Sequence, residues 1–336
     1  MRSHEQCYVP LSTATQQAVA RVSIHDIREA ARGLEGVAVR TSLVEVEALS
    51  ASVGHPVYLK LENQQPSGAF KLRGAWTAIR RLPEDRRRAG VITYSSGNHG
   101  QAVAFVANHL GVRAVIVMPE TAPQAKVEGV ERWGGEIVLA GTTSKDRLAR
   151  ANEIMAVEGL AVIPPFDHHD VIAGQGTVGL EIVEDLPDVA HVAVPVGGGG
   201  LCAGISTALE ALRPEAAVTA VEPEGAAAYR AALIRGEPVR LDSTKSVADG
   251  LLPLSVGRIT FEHMRTRARS LTVPDDAIIE ATQWLYKEAD LVVEPSGAAA
   301  TAALRCGALR PEGPTVLVVS GGNIDPAAIP TLQAMS

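Results

Sequence analysis

Lys71 is the residue whose surroundings point most directly to chemistry. It lies in the segment 67–74, SGAFKLRG, between small residues and an aromatic, where an alanine-rich amphipathic stretch begins. Burial and a nearby helix N-terminus both disfavour the ammonium ion, so such a lysine can present a free amine that forms a Schiff base. The segment alone is equally compatible with a lysine on a helix surface beside Phe70.

A second segment, 95–101 with the sequence SSGNHGQ, is rich in small, hydroxyl and amide residues. It follows the apolar run 90–94 and precedes the helix-like run 102–107. In such a strand, loop and helix arrangement, backbone N–H groups and hydroxyls converge at the helix N-terminus, where they suit a carboxylate. A plain turn with a serine N-cap explains fewer of these residues.

The third segment contains four consecutive glycines, in the run 195–201, PVGGGGL, between a strand-like and a helix-like stretch. Each glycine loses more backbone entropy on ordering than any other residue, so four in a row are costly. They allow several N–H groups to approach one anion closely, and this pattern predicts a phosphate site.

A dinucleotide site is the alternative interpretation of the glycine run. Gly198, Gly200 and Ala203 fit the G-x-G-x-x-A fingerprint after a strand, and Glu222 follows at about the expected distance. A nicotinamide enzyme would leave the Lys71 and 95–101 segments unexplained, whereas one cofactor that uses all three segments is more economical.

Taken together, the segments resemble the fold type II pyridoxal-phosphate enzymes, and within them the threonine/serine dehydratase (ammonia-lyase) and serine racemase family. The resemblance extends from about Val22 to Pro330 and includes LKLE at 59–62 and SGGN at 320–323. It implies an α/β fold with two open parallel-sheet domains of the tryptophan synthase beta type, the smaller inserted in the larger.

The resemblance also implies roles for individual residues. Lys71 would carry pyridoxal 5'-phosphate and act as a catalytic base, and Ser96 matches the second proton-transfer serine of the racemase. The implied cofactor-binding residues are Phe70, Lys71, Asn98, Gly197, Gly198, Gly199, Gly200, Leu201, Gly250 and Ser320. Of these, Asn98 would bond the phenolic oxygen and Ser320 would face the pyridine nitrogen. The substrate carboxylate would be bound by Ser95, Ser96, Asn98 and His99.

A cation site is the point at which the chain departs from the family pattern. Serine racemase and several relatives bind a divalent cation through a Glu and an Asp six residues later; here Glu222 fits the first position and Ala228 occupies the second. Divalent cations prefer several oxygen ligands. Glu222 with backbone carbonyls could hold a monovalent or a weakly bound divalent cation, or could be a plain strand-end acid.

The expected reaction is the elimination of water and then ammonia from a β-hydroxy amino acid, which gives a 2-oxo acid. A neutral hydroxyl facing the pyridine nitrogen leaves the ring a weaker electron sink than a carboxylate would, and this favours prompt loss of a β-substituent. Threonine, serine or hydroxyaspartate would be the substrate. An amino-acid racemase is the alternative, and a nicotinamide-dependent oxidoreductase or a binding protein without catalysis is a third hypothesis.

The elements that must position these residues are short β-branched runs alternating with alanine-rich helical stretches, a pattern that favours parallel sheets covered by helices. Strands are predicted at 57–61, 91–94, 114–118, 136–140, 191–196, 218–221 and 316–320. We expect a large cofactor-binding domain from 22–88 and 167–336, a small domain at 89–166, and the cofactor in the cleft between them. Residues 1–21 are predicted to be a flexible arm.

Composition limits the remaining possibilities. The 336 residues are 46% hydrophobic and 21% charged, with a net charge of −7, so a large core is available and no nucleic-acid or acidic-membrane attraction is expected. No run approaches the length of a membrane span. The three cysteines, Cys7, Cys202 and Cys306, lack metal or disulfide spacing and favour the cytoplasm. The resemblance implies a homo-oligomer, a dimer or tetramer. The chain ends soon after 320–323, so we expect a catabolic or otherwise unregulated enzyme without an appended regulatory domain.

Overall fold

The computed structural model describes residues 21–95 and 97–333 of the chain. The predicted N-terminal arm, apart from Arg21, lies outside the described residues, as does Cys7. The strands of the described part are β1 Leu43–Glu45, β2 Val57–Leu61, β3 Val91–Thr93, β4 Ala114–Met118, β5 Glu136–Leu139, β6 Ala161–Val162, β7 His191–Pro195, β8 Ala217–Pro223, β9 Ala268–Val273 and β10 Thr315–Val319.

Helices connect almost all of these strands. They are α1 Ile24–Leu34, α2 Glu47–Val53, α3 Lys71–Arg80, α4 Glu84–Ala89, α5 Asn98–Leu110, α6 Gln124–Glu131, α7 Ser144–Glu158, α8 His169–Asp185, α9 Gly200–Leu212, α10 Ala228–Arg235, α11 Arg258–Met264, α12 Asp275–Glu288 and α13 Pro295–Arg305. Short 3₁₀ turns include Glu62–Gln64 and Asp249–Leu251. None of the helices described is both long and apolar enough to cross a bilayer.

Two sheets organise the chain. The larger has the strand order β1-β2-β10-β7-β8-β9, in which β1 is antiparallel and the other pairs are parallel. The smaller has the order β5-β4-β3-β6 and is wholly parallel. The small sheet comes from one continuous stretch of chain, while the large sheet uses strands from both sides of that stretch. The expected α/β fold with two parallel-sheet units is therefore confirmed; the domain limits at 22–88, 89–166 and 167–336 stay a prediction.

Apolar strands lie between layers of helices in both sheets. Every residue of β4 and β10 is buried, which is typical of parallel strands covered on both faces. One face of the large sheet packs on α1, α8, α9 and α11, and the other on α2, α12 and α13. Helices α3, α5 and α6 cover one face of the small sheet and α7 the other.

Helices α8 and α9 pack so closely that glycine is required where they touch. A Cβ on Gly204 of α9 would lie 2.5 Å from the backbone nitrogen of Gly176 on α8, so any larger residue would push the helices apart. Helix α3 packs against α8, because a Cβ on Gly174 of α8 would lie 2.3 Å from the carbonyl oxygen of Arg73. Helix α8 therefore contacts both the helix that begins with Lys71 and the helix that follows the glycine run.

The predicted strands are all present, with ends that differ by at most two residues, but the sequence pattern misses β1, β6 and β9. Strands β1 and β6 have only three and two residues. Strand β9, ARSLTV, lies at the edge of the large sheet and mixes exposed or partly exposed polar residues with apolar ones. Such strands lack the continuous apolar run that marks a buried parallel strand.

Candidate active site

Lys71 is the first residue of α3, and its side chain is half-buried. Its Nζ donates a hydrogen bond of 2.8 Å to the carbonyl oxygen of Pro165 and lies 5.0 Å from the centre of the Phe70 ring. Burial lowers the pKa of Lys71 to about 8. A substantial fraction of this amine is therefore neutral at physiological pH, as a nucleophile or general base requires.

Residues 197–200, here called the glycine loop, connect β7 to α9 and lie beside Lys71. Pro165, which accepts from Lys71, is followed by Phe166, whose ring lies 2.2 Å from where a Cβ on Gly198 would be. Gly199 has φ +94°, in the left-handed region, and is the N-cap of α9. The loop can therefore present unpaired N–H groups at the start of α9, including those of Gly200 and Leu201, to an anion.

The start of α5 brings the second segment to the same region. Asn98 is the first residue of that helix; its Oδ1 accepts from Asn323 Nδ2 at 2.8 Å, and its Nδ2 donates to Glu294 at 2.5 Å. Ser95 is half-buried just before the helix. Ser96, the predicted second catalytic residue, lies outside the described residues.

His99 is buried, and its Nε2 lies 2.9 Å from the carbonyl oxygen of Ile163. Burial, together with the nearby charge of Lys71, lowers the pKa of His99 to about 3. The ring is therefore neutral over the whole physiological range. Its part in binding a substrate carboxylate stays a prediction, because one ring nitrogen is already engaged with the protein interior.

The end of β10 closes the site on the side of Phe70. The backbone N–H of Phe70 donates to the carbonyl oxygen of Ser320 at 3.1 Å, and Ala69 forms a β-bridge with Gly321. Gly68 adopts φ +75°, and a Cβ there would lie 2.1 Å from Asn323 Oδ1. The SGGN segment at 320–323 thus lies directly on the lysine segment, and Ser320 is buried beside Phe70.

Gly250 joins this group from the 3₁₀ turn Asp249–Leu251. Its N–H donates to Ser296 Oγ at 2.8 Å, and its carbonyl oxygen lies 3.1 Å from where a Cβ on Gly197 would be. The structure therefore brings the described candidate residues of the lysine segment, the α5 start, the glycine loop, the β10 end and the Gly250 turn into one region. Their individual roles stay predictions.

Glu294 is a site residue that the sequence reasoning missed. It is buried, immediately precedes α13, and accepts the hydrogen bond from Asn98. Burial raises the pKa of Glu294 to about 8, and the negative charge of Asp249 adds to the effect. The signal available in the sequence was the segment EPSG at 294–297, where an acid and a proline begin an alanine-rich helix after an apolar run.

Glu222, the predicted cation ligand, lies in β8 and is fully buried. Its carboxylate accepts the backbone N–H groups of Tyr229 at 2.6 Å and Arg230 at 2.9 Å, in the first turn of α10. Burial raises the pKa of Glu222 to about 7, although these two donors oppose the shift. The carboxylate thus holds a helix N-terminus, and within the described residues no group of three acidic, His or Cys side chains gathers to bind a metal. A cation at Glu222 stays a prediction.

Comparison with known proteins agrees with this geometry. The family model described as "Pyridoxal-phosphate dependent enzyme" matches residues 34–321. The chain is 40% identical to the L-threonine ammonia-lyase of Thermotoga maritima, covering 90% of this chain and 76% of that protein. It is 37% identical to the L-threo-3-hydroxyaspartate ammonia-lyase of a Pseudomonas species, covering 90% and 96%. The solved structure of maize serine racemase superimposes with a TM-score of 0.89 at 34% identity, covering 93% and 97%.

The residues present fit pyridoxal phosphate. A desolvated lysine amine is available for covalent attachment. Protein atoms lie 3.0 Å or less from the Cβ position of each glycine in the loop, so side chains do not fit there, and glycine leaves the backbone N–H groups free to approach an anion closely. The dinucleotide interpretation of Gly198, Gly200 and Ala203 accounts for neither the lysine nor the α5 start, whereas the matched family spans all three segments. This chain belongs to the family of pyridoxal-phosphate-dependent enzymes.

Proposed function

We propose that this protein is an ammonia-lyase that removes water and then ammonia from a β-hydroxy amino acid. The substrate would be threonine, serine or a related 3-hydroxy amino acid such as hydroxyaspartate, and the product a 2-oxo acid. The names of the relatives support this class: an L-threonine ammonia-lyase and an L-threo-3-hydroxyaspartate ammonia-lyase both match over 90% of the chain.

The observation that carries the proposal is the desolvated amine of Lys71. It lies near the glycine loop, the start of α5 and the segment 320–323. Its pKa of about 8 allows it to be attached covalently and, once released, to take a proton from a substrate carbon. The glycine loop and the start of α5 are two separate segments near this amine, so one can bind a phosphate while the other binds a carboxylate.

Each side chain has a separate task in the proposed reaction. The cofactor, when bound, withdraws electrons from the α-carbon of the substrate. Lys71 Nζ takes the α-proton, and the N-terminus of α5 with Ser95 and Asn98 holds the carboxylate so that the α-carbon faces the amine. Ser320 would offer the ring nitrogen a neutral hydroxyl, which suits an elimination in which the β-hydroxyl takes a proton from a nearby acid and departs as water.

A substrate panel tests the proposal. Purified holoenzyme is given threonine, serine and 3-hydroxyaspartate, and 2-oxo acid and ammonia are measured. We expect equal amounts of both products from at least one substrate, and a loss of at least about a thousandfold in the Lys71→Ala variant. Lys287→Ala, which removes an exposed lysine of α12, should retain full activity. Appreciable turnover by Lys71→Ala, or no 2-oxo acid from any of the three, would contradict the proposal.

An amino-acid racemase is the second candidate. It is supported by the similarity to maize serine racemase and by the position of Ser96 in the sequence. The same panel separates the two reactions if the chirality of the residual amino acid is measured beside the 2-oxo acid. Conversion of the L to the D form with little 2-oxo acid would favour racemisation.

We also propose that the protein is a homo-oligomer, a dimer or a tetramer, that acts in the cytoplasm on a small amino acid. Light scattering after size-exclusion chromatography measures the first property directly; a mass of a single 35.2 kDa chain would contradict it.

A further inference from the structure

A buried glutamine lies between the lysine helix and the glycine loop. Gln175, in the second turn of α8, has no exposed surface. Its Oε1 lies 2.4 Å from where a Cβ on Gly200 would be, and its Nε2 lies 3.0 Å from the same point on Gly74, which is one helical turn after Lys71. The carboxamide is therefore inserted between the start of α9 and the first turn of α3.

This carboxamide makes no hydrogen bond to the described residues through either of its polar atoms. A buried amide without partners costs about 1–3 kcal/mol, so native proteins supply a partner to nearly all such groups. Gln175 lies beside Gly200, the first residue of α9, so we expect its hydrogen-bond partner to lie at this helix N-terminus. The oxygen and nitrogen of an unbonded amide can exchange places by a half-turn about Cγ–Cδ, so its N–H groups can face the glycine loop.

Apart from Gln175, none of the described side chains nearest to the loop has a free hydrogen-bond donor. Those that come nearest to Cβ positions on the four glycines are Phe166, Gln175, Pro253, Thr260 and Met264, and none of them is charged. Thr260 Oγ1 already donates to the carbonyl oxygen of Gly198 at 2.8 Å. Among these five described side chains, only Gln175 has free N–H groups that could donate to a phosphate there.

We propose that Gln175 is a phosphate ligand, whose side-chain amide donates a hydrogen bond to the phosphate of pyridoxal phosphate at the start of α9. The glycine loop then surrounds the anion with backbone N–H groups on one side, and Gln175 binds it from the side of α3. The proposal goes beyond the proposed function and rests on the cofactor alone. A wild-type protein that binds the cofactor but yields no 2-oxo acid would leave it standing.

Comparing two cofactor forms isolates the phosphate contact. The apoenzymes of wild type and of Gln175→Met, which keeps the side-chain length but removes the amide, are titrated with pyridoxal phosphate and with pyridoxal, and covalent binding is followed by visible absorbance. We expect the variant to bind pyridoxal phosphate about ten- to a hundredfold more weakly and pyridoxal with unchanged affinity. Gln283→Met is the matched control, because Gln283 of α12 bonds the carbonyls of Ile329 and Pro330, far along the chain from the glycine loop.

If Gln175→Met weakened the binding of pyridoxal phosphate and pyridoxal equally, Gln175 would have a packing role and the proposal would be overturned. Unchanged affinity for both ligands would overturn it as well. Gln175→Glu provides a second variant of the same shape if the methionine variant does not fold, as judged by its melting temperature. Its carboxylate repels the phosphate, so pyridoxal phosphate should bind at least a hundredfold more weakly. Selective loss of phosphate recognition in this variant supports the assignment, and retention of tight pyridoxal phosphate binding overturns it.

Discussion

The amine of Lys71 donates to a backbone carbonyl and forms no salt bridge to a carboxylate of the described residues. Without a negative partner to stabilise the ammonium ion, burial alone decides its protonation and lowers the pKa from 10.5 to about 8. Any lysine has such an amine, but burial at this position lowers its pKa and so makes it reactive near neutral pH.

This shift predicts how Lys71 titrates. In the apoenzyme, the fraction of Lys71 acylated in competitive labelling should rise with pH and reach half its maximum near pH 8, because only the neutral amine reacts. Peptide mass spectrometry measures the labelling. The same peptide in the urea-unfolded chain should titrate near pH 10.5. A midpoint in the folded protein that matches the unfolded chain would contradict the prediction.

The site residues that the sequence predicts lie in short, unusual segments, whereas those it misses are identified by contacts with distant parts of the chain. Lys71, Asn98 and the glycine loop lie in short segments whose composition is itself unusual. Glu294 and Gln175 lie in or beside ordinary alanine- and glycine-containing helices. Their significance comes from contacts with distant segments, such as the bond between Glu294 and Asn98 across 196 positions. Spacing along the sequence cannot indicate such a contact.

At the scale of elements, a buried ionic cluster holds α3 in place. Arg73, two residues after Lys71, bonds Glu62 at 2.7 Å and Glu181 of α8 at 2.6 Å, and the fully buried Lys60 of β2 bonds Glu181 at 2.6 Å. Burial would raise the pKa of Glu62, but the charge and hydrogen bonds of Arg73 outweigh it and lower this pKa. The cluster ties β2, α3 and α8 together just behind the reactive lysine.

Removing one charge of this cluster should be costly. Glu62→Gln leaves the two buried cations with too little negative charge, and we expect the free energy of unfolding to fall by about 3 kcal/mol in urea at pH 7. Glu84→Gln breaks an exposed pair with Arg88 and should change the free energy of unfolding by less than about 0.5 kcal/mol.

The cluster also makes the stability of the protein depend on pH, and the Glu62→Gln variant should lose this dependence. Because the folded-state pKa of Glu62 is lowered, its contribution is present above the ordinary value of 4.5 and disappears as the pH falls through the folded-state value. The stability difference between wild type and Glu62→Gln should therefore narrow in acid. A difference that is small at pH 7, or that does not change in acid, would argue against a structural role for this carboxylate.

The strands and helices were more predictable than the cluster. Buried parallel strands such as β4 and β10 carry continuous apolar runs, which identify them without further information. Charged residues at 60, 62 and 73 give no such signal, because their residue types suggest a surface. These charges are buried because β2, α3 and α8 pack against one another. A local sequence pattern does not indicate that packing.

At the scale of the whole molecule, an ion pair links the two sheets beside the site. Lys126 of α6, which covers the small sheet, pairs with Asp249 in the turn that carries Gly250. Both side chains are partly exposed, so the pair contributes at most about 1 kcal/mol to stability. Its position suits it to hold the two sheets together around a bound substrate.

Lys126→Met should therefore affect binding more than folding. We expect KM to rise about three- to tenfold, with a change in the free energy of unfolding below about 1 kcal/mol. High salt should raise the KM of the wild type toward that of the variant, because it screens the pair. Arg150→Met, which breaks a pair within α7, serves as the control. An unchanged KM in Lys126→Met would show that this link has no part in substrate binding.

The position of β10 has a consequence for how the protein is made. It is the last strand along the described chain, yet it lies between β2 and β7 in the middle of the large sheet, and residues 320–323 of the site follow it directly. While the ribosome is still synthesising the chain, β2 and β7 each lack their central neighbour, whereas all four strands of the small sheet have already emerged. The small sheet can therefore mature during translation, but the large sheet, and the catalytic centre with it, can be completed only once synthesis has passed residue 323.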